Sequence, residues 1–199
     1  MRVLVTGATG FVGGHLVKRL LKERHEVHVL VRPTTDLALF GDDLDRIVSH
    51  RHDGTTEGMV ELVRNAKPDT VMHLASLVLV EHQPGDVDDL IASNVLLSTQ
   101  LAEAMAANEV QLLINVGTSW QHHEDGGAPA MVNLYATTKQ AYRSILRYYI
   151  ETANLKVVNL ELFDTYGPND QRGKLFTLLD RLRTSGDTLA MSPGDQQLD

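Results

Sequence analysis

Fourteen residues at the N-terminus, Met-Arg-Val-Leu-Val-Thr-Gly-Ala-Thr-Gly-Phe-Val-Gly-Gly, restrict the fold more than any other stretch of the chain. Arg2 to Thr6 reads as a short buried strand, apolar at Val3, Leu4 and Val5. Gly7, Gly10 and Gly13 follow in a G-x-x-G-x-x-G spacing. Phe11, Val12, Leu16, Leu20 and Leu21 then recur at helical intervals up to Arg24. A strand, a glycine turn and a helix in that order form a phosphate cradle. The first glycine allows a tight turn, the second lets a pyrophosphate approach the backbone, and the third lets the helix pack close to the strand. The helix N-terminus adds unpaired N–H groups and the positive end of its dipole. A lone glycine triplet is weak evidence; its place between a strand and an amphipathic helix is what gives it weight.

The same alternation continues. Strands are expected at Glu26 to Val31, Arg46 to Ser49, Thr70 to Leu74, Leu112 to Val116 and Lys156 to Leu160. Between them, helices are expected from a Thr55 cap to Asn65, from about Asp86 to Ala107, and from about Val132 to Thr152. Leu90, Asn94, Leu97, Leu101 and Ala104 fall on one face of the second of these. Strands alternating with helices argue an α/β fold, a doubly wound, mostly parallel sheet of Rossmann type covered on both faces. Residues 1–170 are expected to form the dinucleotide-binding domain, and residues 171–199 the start of a substrate-binding portion. In that second part Gly173 to Arg183 reads as a helix and Thr188 to Met191 as a strand.

Of the 199 residues, 43% are hydrophobic and 22% charged, enough to bury a sizeable core. The net charge of −8 argues against a nucleic-acid partner. The chain has no cysteine, which excludes disulfides and thiolate metal sites. No apolar run approaches the ~20 residues of a membrane span, so no membrane partner is expected. The N-terminus reads as a strand rather than a signal peptide, and the expected compartment is the cytoplasm.

An acidic residue at the end of the second strand holds the ribose 2′-OH of NAD in this kind of fold, whereas an Arg accommodates the extra phosphate of NADP. Here Val31 is followed by Arg32, a fixed cation whose fork matches a phosphate. Thr34 and Thr35 add hydroxyls. NADP(H) is therefore the expected cofactor. NAD is the alternative, with Arg32 solvated and Asp36 on the ribose. Asp53, after the third strand, either accepts from an adenine amine or caps the helix that follows.

Tyr135 and Lys139 stand four residues apart and share a helix face. A phenol titrates near ~10. A neighbouring ammonium and a cationic nicotinamide lower that value and suit Tyr135 to proton transfer at an alcohol or sugar oxygen. Lys139 also has the reach for nicotinamide ribose hydroxyls. Thr118, just past the fifth strand, is placed to hold the reacting oxygen, because such strand ends open into the ligand crevice. Asn94 interrupts an apolar helix face, so its amide needs partners inside, structural ones or the cofactor. Trp120 either stacks on a ligand or walls the pocket. His122 and His123 with Glu124 and Asp125 lack the ligand count and geometry of a metal site, and no metal is expected. Tyr142, Leu146 and Tyr149 form a stripe that belongs to the core or to a subunit interface. The acidic run Asp42-Asp43-Leu44-Asp45 reads as a solvated loop.

With these residues in place, the chain resembles the extended short-chain dehydrogenase/reductase family, in its NAD(P)-dependent epimerase/dehydratase branch. Thr6 to Gly13 matches the branch's cofactor motif. Val71 to Ser76 is similar to its fourth strand and cofactor-lining turn, and Asn94 falls where the family's helix carries its Asn. Thr118 matches the catalytic Ser/Thr, and Tyr135 with Lys139 the catalytic pair. Leu162 to Asp170 resembles the segment after the sixth strand. The resemblance implies cofactor contacts from Gly7, Gly10, Phe11, Val12, Gly13, Arg32, Asp53, Leu74, Ala75, Ser76, Asn94, Tyr135 and Lys139. It implies substrate contacts from Ser119, Trp120 and Phe163, a nucleotide-sugar substrate, and a homodimer. Around Gly117 to His122 and Leu162 to Gly167 the wording is similar to CDP-abequose synthase-like reductases, which reduce a 4-keto group with NADPH. A nucleotide-sugar 4-epimerase with retained NAD and a non-catalytic cofactor-binding fragment are the alternatives.

Three departures from the pattern matter. Family members run to about 300 residues, so a C-terminal substrate-binding portion is expected to be missing here. Thr118 is followed by Ser119-Trp120 instead of the Asp-Glu of the dehydratases, which disfavours dehydration. Asp164 stands where many members have Asn, and a carboxylate there repels a substrate phosphate.

Overall fold

The computed structural model describes residues 1–122, 130–186 and 188. A first compact unit, Met1–Leu162, holds a six-stranded sheet. Its strands are β1 (Arg2–Thr6), β2 (Glu26–Val31), β3 (Ile47–Arg51), β4 (Thr70–His73), β5 (Leu112–Thr118) and β6 (Lys156–Leu162). The spatial order is β3-β2-β1-β4-β5-β6, and every pairing is parallel. The order reverses between β1 and β4, and there the strand ends open a crevice. Crossovers are made by α1 (Phe11–Lys22), α2 (Thr56–Ala66), α3 (Val87–Ile91), α4 (Leu97–Ala107) and α5 (Leu134–Ala153).

Residues alternate between the two faces of β1, and both faces are buried. Val3 and Val5 join Val27, Val29 and Val31 of β2 beneath Val17, Leu20 and Leu21 of α1. Leu4 points the other way, into a core with Leu30, Val71 and Leu113 from the sheet, Met59 and Val63 from α2, and Leu101 and Met105 from α4. Tyr142, Leu146 and Tyr149 of α5 complete this second core, which assigns the tyrosine stripe to the interior of the chain. Thr55 caps α2 by accepting from the Gly58 N–H at 2.9 Å, as its position before the helix predicts.

Two segments differ from the sequence expectation. The acidic run lies within 3₁₀ turns over Ala38–Arg46, anchored by buried Phe40, where the sequence reads as plain loop. The stretch read as one α-helix from about Asp86 contains a π-helical turn, Ala92–Leu96, between α3 and α4. With its flanking turn this helical stretch runs from Pro84 to Ala107, 24 residues with a mean hydropathy of 1.2 over its most apolar window. It thus has the length and apolarity of a membrane span, contrary to expectation, yet Leu90, Leu101, Ala104 and Met105 are buried in the unit's interior.

A second unit begins at Phe163, earlier than the expected boundary at residue 170. It contains α6 (Leu175–Ser185). Tyr166 and Phe176 pack ring to ring at 4.5 Å. Arg172 binds Asp170 and the Thr165 carbonyl, and holds the Asp170 carboxyl down at about 2. Asp164 is ion-paired with Lys174, so the negative charge noted above is compensated locally. Phe163 is 57% exposed. The expected strand from Thr188 to Met191 lies almost wholly outside the described residues.

Candidate active site

The chain leaves β1 through Gly7 at φ +69°, a left-handed conformation that glycine adopts without cost. A Cβ on Gly7 would lie 2.6 Å from the Ala75 backbone nitrogen, so this turn touches the turn after β4. A Cβ on Gly13 would lie 2.1 Å from the Gly7 carbonyl oxygen, so α1 is seated directly on the loop. The Gly10 N–H donates back to the Gly7 carbonyl at 3.0 Å. Phe11 and Val12 follow, half-buried, in the first turn of α1. The cradle therefore has the close backbone approaches that a dinucleotide pyrophosphate requires.

The opposite wall is the turn after β4. The Thr6 hydroxyl oxygen accepts from the backbone N–H groups of Leu74 at 3.2 Å and Ala75 at 3.0 Å. Asn94 organises the next two residues. Its Oδ1 accepts from the Leu77 N–H at 2.7 Å and the Ser76 hydroxyl at 3.0 Å. Its Nδ2 donates to the Leu77 carbonyl at 2.9 Å and the Thr138 hydroxyl at 3.0 Å. Both donors and both acceptor positions of the amide are thereby used. Asn94 is 1% exposed, at the centre of the π turn, and such turns occur often at functional positions. Its bonds assign it to building the turn and tying it to α5. Asn94→Ala strands several buried polar groups at once and is expected to cost about 2 kcal/mol in urea unfolding; an unchanged midpoint would remove this role.

Thr118 ends β5 and caps the 3₁₀ turn Ser119–Gln121, its hydroxyl accepting from the Trp120 N–H. Gln121 is 2% exposed; its Oε1 accepts from the Thr118 N–H at 3.0 Å and its Nε2 donates to Gln140 at 3.0 Å. This side chain locks the strand end to α5. Tyr135 sits in the first turn of α5, whose cap Asn133 accepts from the Ala136 N–H at 2.9 Å. The hydroxyls of Ser76 and Thr118 stand beside the Tyr135 phenol, close enough to influence its acidity. Trp120 meets the Tyr135 ring edge to face at 6.2 Å, while Ser119 is half-buried beside it in sequence.

Burial raises the Tyr135 phenol above its ordinary value, and the neighbouring Ser76 and Thr118 hydroxyls only partly oppose this. Among the chain's own groups, desolvation of the phenolate is the largest influence on Tyr135; the expected lowering joins Lys139 to a cationic nicotinamide. Lys139 is 4% exposed, and burial pushes its ammonium down to about 8. Its charge reaches His73 on β4, where burial first and Lys139 second hold the imidazole down at about 3.

At the other end of the crevice, Arg32 is exposed directly after β2. Its turn is closed by Arg32 N–H to the Thr35 hydroxyl at 3.1 Å. Arg51, at the end of the neighbouring β3, donates to the carbonyls of Arg32 and Pro33. Sequence reasoning passed over Arg51, since nothing in Ile-Val-Ser-His-Arg marks a side chain that curls over the adjacent turn. Asp36 accepts from the Ala38 N–H at 2.9 Å. Asp53 accepts from the Thr55 N–H at 2.9 Å and hydroxyl at 2.8 Å, bonds that hold its carboxyl below the ordinary range. Asp53 thus supports the α2 cap, one of its two expected roles.

His122 is bound by Glu161 at 3.2 Å, and Glu161 also accepts from Arg143 at 2.6 Å. His123, Glu124 and Asp125 lie outside the described residues. Among the described residues no group of three His, Asp or Glu side chains could hold a metal ion.

Comparison with known proteins places this geometry. The model of the NAD dependent epimerase/dehydratase family matches residues 3–199. CDP-abequose synthase of Yersinia pseudotuberculosis is 29% identical over 199 residues, which is 100% of this chain and 68% of that protein. Protein CapI of Staphylococcus aureus is 26% identical over 84% of this chain and 55% of its own length. The solved UDP-glucose 4-epimerase of Thermus thermophilus, in complex with NAD, superposes with a TM-score of 0.75 at 30% identity, covering 87% of this chain and 59% of that one. UDP-glucuronic acid 4-epimerase from Bacillus cereus, also with NAD, gives a TM-score of 0.76 at 25% identity over 92% of this chain and 63% of that one. The chain thus spans only part of the length of the proteins it matches. By the family match and the fold together, this chain belongs to the NAD dependent epimerase/dehydratase family.

Proposed function

We propose that the chain is the dinucleotide-binding part of an NADP(H)-dependent reductase of a nucleotide-linked 4-keto sugar. The observation that carries this reading is the convergence of the Thr118 and Ser76 hydroxyls on the Tyr135 phenol, with Lys139 one turn further along the same helix. A dinucleotide held by its pyrophosphate in the cradle would supply hydride from its nicotinamide for C4 of the sugar. Tyr135, protonated because burial raises its value, donates the proton to the C4 oxygen. Thr118 holds that oxygen by hydrogen bonding, and Lys139 binds the ribose hydroxyls. Ser119 and Trp120 line the sugar side, and Phe163 opens a substrate-binding portion. Arg32, backed by Arg51, supports NADP(H) over NAD. The large apolar side chains exposed on the helices, Leu96 at 52% and Tyr148 at 61%, support a homodimer. The NAD bound in the two 4-epimerase structures favours a second reading, an epimerase that retains its cofactor.

Calorimetric titration with NADPH and NADH separates the readings. NADPH is expected to bind about tenfold tighter, from at least one charge-assisted contact, with the preference lost in Arg32→Ala. Equal or tighter NADH binding would favour the epimerase; binding without any turnover would favour the non-catalytic cofactor-binding fragment; no binding of either would remove the dinucleotide-binding reading. Tyr135→Phe is expected to keep cofactor affinity and to lose at least about 10²-fold in turnover of CDP- or UDP-linked 4-keto sugars. Full turnover in that variant would remove the proton-transfer role.

A further inference from the structure

A buried chain of hydrogen bonds runs behind the cradle and takes no part in the steps above. It links Ser98 of α4, His73 at the end of β4 and Thr6 at the end of β1, which are 1%, 0% and 1% exposed. His73 Nε2 lies 2.8 Å from Ser98 Oγ, and His73 Nδ1 lies 2.7 Å from Thr6 Oγ1. Thr6 and His73 are direct neighbours in the parallel β1–β4 register.

The proton positions follow from counting. A threonine hydroxyl has one proton and two lone pairs. The Thr6 hydroxyl oxygen accepts from the Ala75 N–H at 3.0 Å and from the Leu74 N–H at 3.2 Å, the latter shared with the Thr6 backbone carbonyl at 3.3 Å, so a donor faces each lone pair. Its own proton is then left for His73 Nδ1, which must be bare to receive it. A neutral imidazole with Nδ1 bare carries its proton on Nε2 and donates it to Ser98. The other tautomer would aim a third donor at the Thr6 oxygen and leave the hydroxyl proton without an acceptor. A doubly protonated ring would do the same. Burial and the nearby Lys139 charge keep the ring neutral.

We propose that His73 is a positioning residue for the cofactor cradle. In its Nε2–H tautomer it fixes the Thr6 hydroxyl, and through that hydroxyl it pins the Leu74–Ala75 turn against Gly7. The tolerance there is small, because the Gly7 Cβ position is 2.6 Å from the Ala75 nitrogen. Loosening the two N–H bonds lets the wall of the cradle drift from the glycine turn, and misplaced backbone weakens ligand contacts made elsewhere. Ser98 extends the link to α4, which follows the π turn that holds Asn94. The functional part of this inference rests on the dinucleotide-binding reading; the hydrogen-bond assignment stands without it.

Two measurements test it. In the wild-type chain, imidazole ¹⁵N shifts of His73 are expected to show a bare Nδ1 and a protonated Nε2; a protonated Nδ1 would overturn the proposal. In variants, the amide exchange of Leu74 and Ala75 and the affinity for NADPH and NADH are followed together. His73→Leu and Thr6→Val are each expected to speed exchange about tenfold at the Ala75 amide, and less at the Leu74 amide, which also donates to the Thr6 carbonyl, and to weaken the tighter-binding dinucleotide about five- to tenfold, from loss of about one buried hydrogen bond. The double variant is expected to be no worse than Thr6→Val, while Thr6→Ser keeps wild-type behaviour. Additive losses, or unchanged exchange in His73→Leu, would overturn the proposal even if affinity fell. If the wild-type chain binds neither dinucleotide, the functional reading fails, and the ¹⁵N shifts and exchange rates still decide the assignment.

Discussion

Gly13→Ala is expected to cost the fold about 3 kcal/mol and to weaken dinucleotide binding by more than tenfold, although alanine is the better helix former. The new methyl carbon would lie 2.1 Å from the Gly7 carbonyl oxygen, 2.8 Å from the Gly7 carbonyl carbon and 2.9 Å from the Ala8 Cα. All three are backbone atoms, so no side chain can swing aside. Either α1 lifts off the sheet or the loop opens, and both moves take the first-turn N–H groups away from the cradle. Gly14 is the control. A Cβ there would meet Leu39 Cδ1 at 3.3 Å, the tip of a mobile side chain, and the Ala8 carbonyl oxygen at 3.7 Å. Gly14→Ala should therefore stay within about 1 kcal/mol of the parent, the helix-propensity gain offsetting the tight contact. Urea unfolding and NADPH titration of both variants check this. If the two behaved alike, close helix seating would not be what Gly13 provides.

That contrast shows what was legible in the sequence. Glycine spacing encodes close approach directly, because only the residue without a Cβ fits. The i, i+4 spacing of Tyr135 and Lys139 and the position of Thr118 at a strand end were readable for the same kind of reason: each is local geometry. Contacts between segments distant in sequence were not readable. Thr6 and His73 are 67 positions apart, and only the parallel register sets them side by side. Arg51 looks like an ordinary strand residue until β2 and β3 pair and its fork lies over the Arg32 turn. The π turn also left no trace. A 3.6-residue period places Leu90, Asn94, Leu97 and Leu101 on one face, but the wider turn leaves Leu97 only partly buried while Asn94 is fully enclosed. The upward push on Tyr135 from the chain's own packing was not readable either, because charge spacing can be read from sequence and desolvation cannot.

Acid is expected to destabilise the first unit through His73 by roughly 4–5 kcal/mol between pH 6.5 and about 3, at the usual conversion of about 1.4 kcal/mol per pH unit. The folded-state value is depressed, so below pH 6.5 the unfolded chain takes up a proton at this imidazole and the folded chain does not. Stability therefore falls as pH falls, by up to about 1.4 kcal/mol per pH unit, until the folded ring also titrates near 3. Above 6.5 neither state binds this proton and the dependence vanishes. The groups around the ring keep it neutral across that window. Thr6 and Ser98 bind its two nitrogens, Tyr142 covers it edge to face at 5.6 Å, and Lys139, charged below about 8, repels a second positive charge. His50 is also depressed by burial, and Glu26 and Asp53 are held low by hydrogen bonds, so the acid response of this unit exceeds one proton. The His73 share is isolated by difference. His73→Leu lowers stability at neutral pH but cannot take up the proton, so its curve should be flatter than the wild type's by about one proton between pH 3 and 6.5. Parallel urea-unfolding curves for the two proteins across that range would mean that His73 is protonated in the fold at an ordinary pH. The Thr6 hydroxyl would then have no acceptor, and the cradle wall would have to be held by something other than this imidazole.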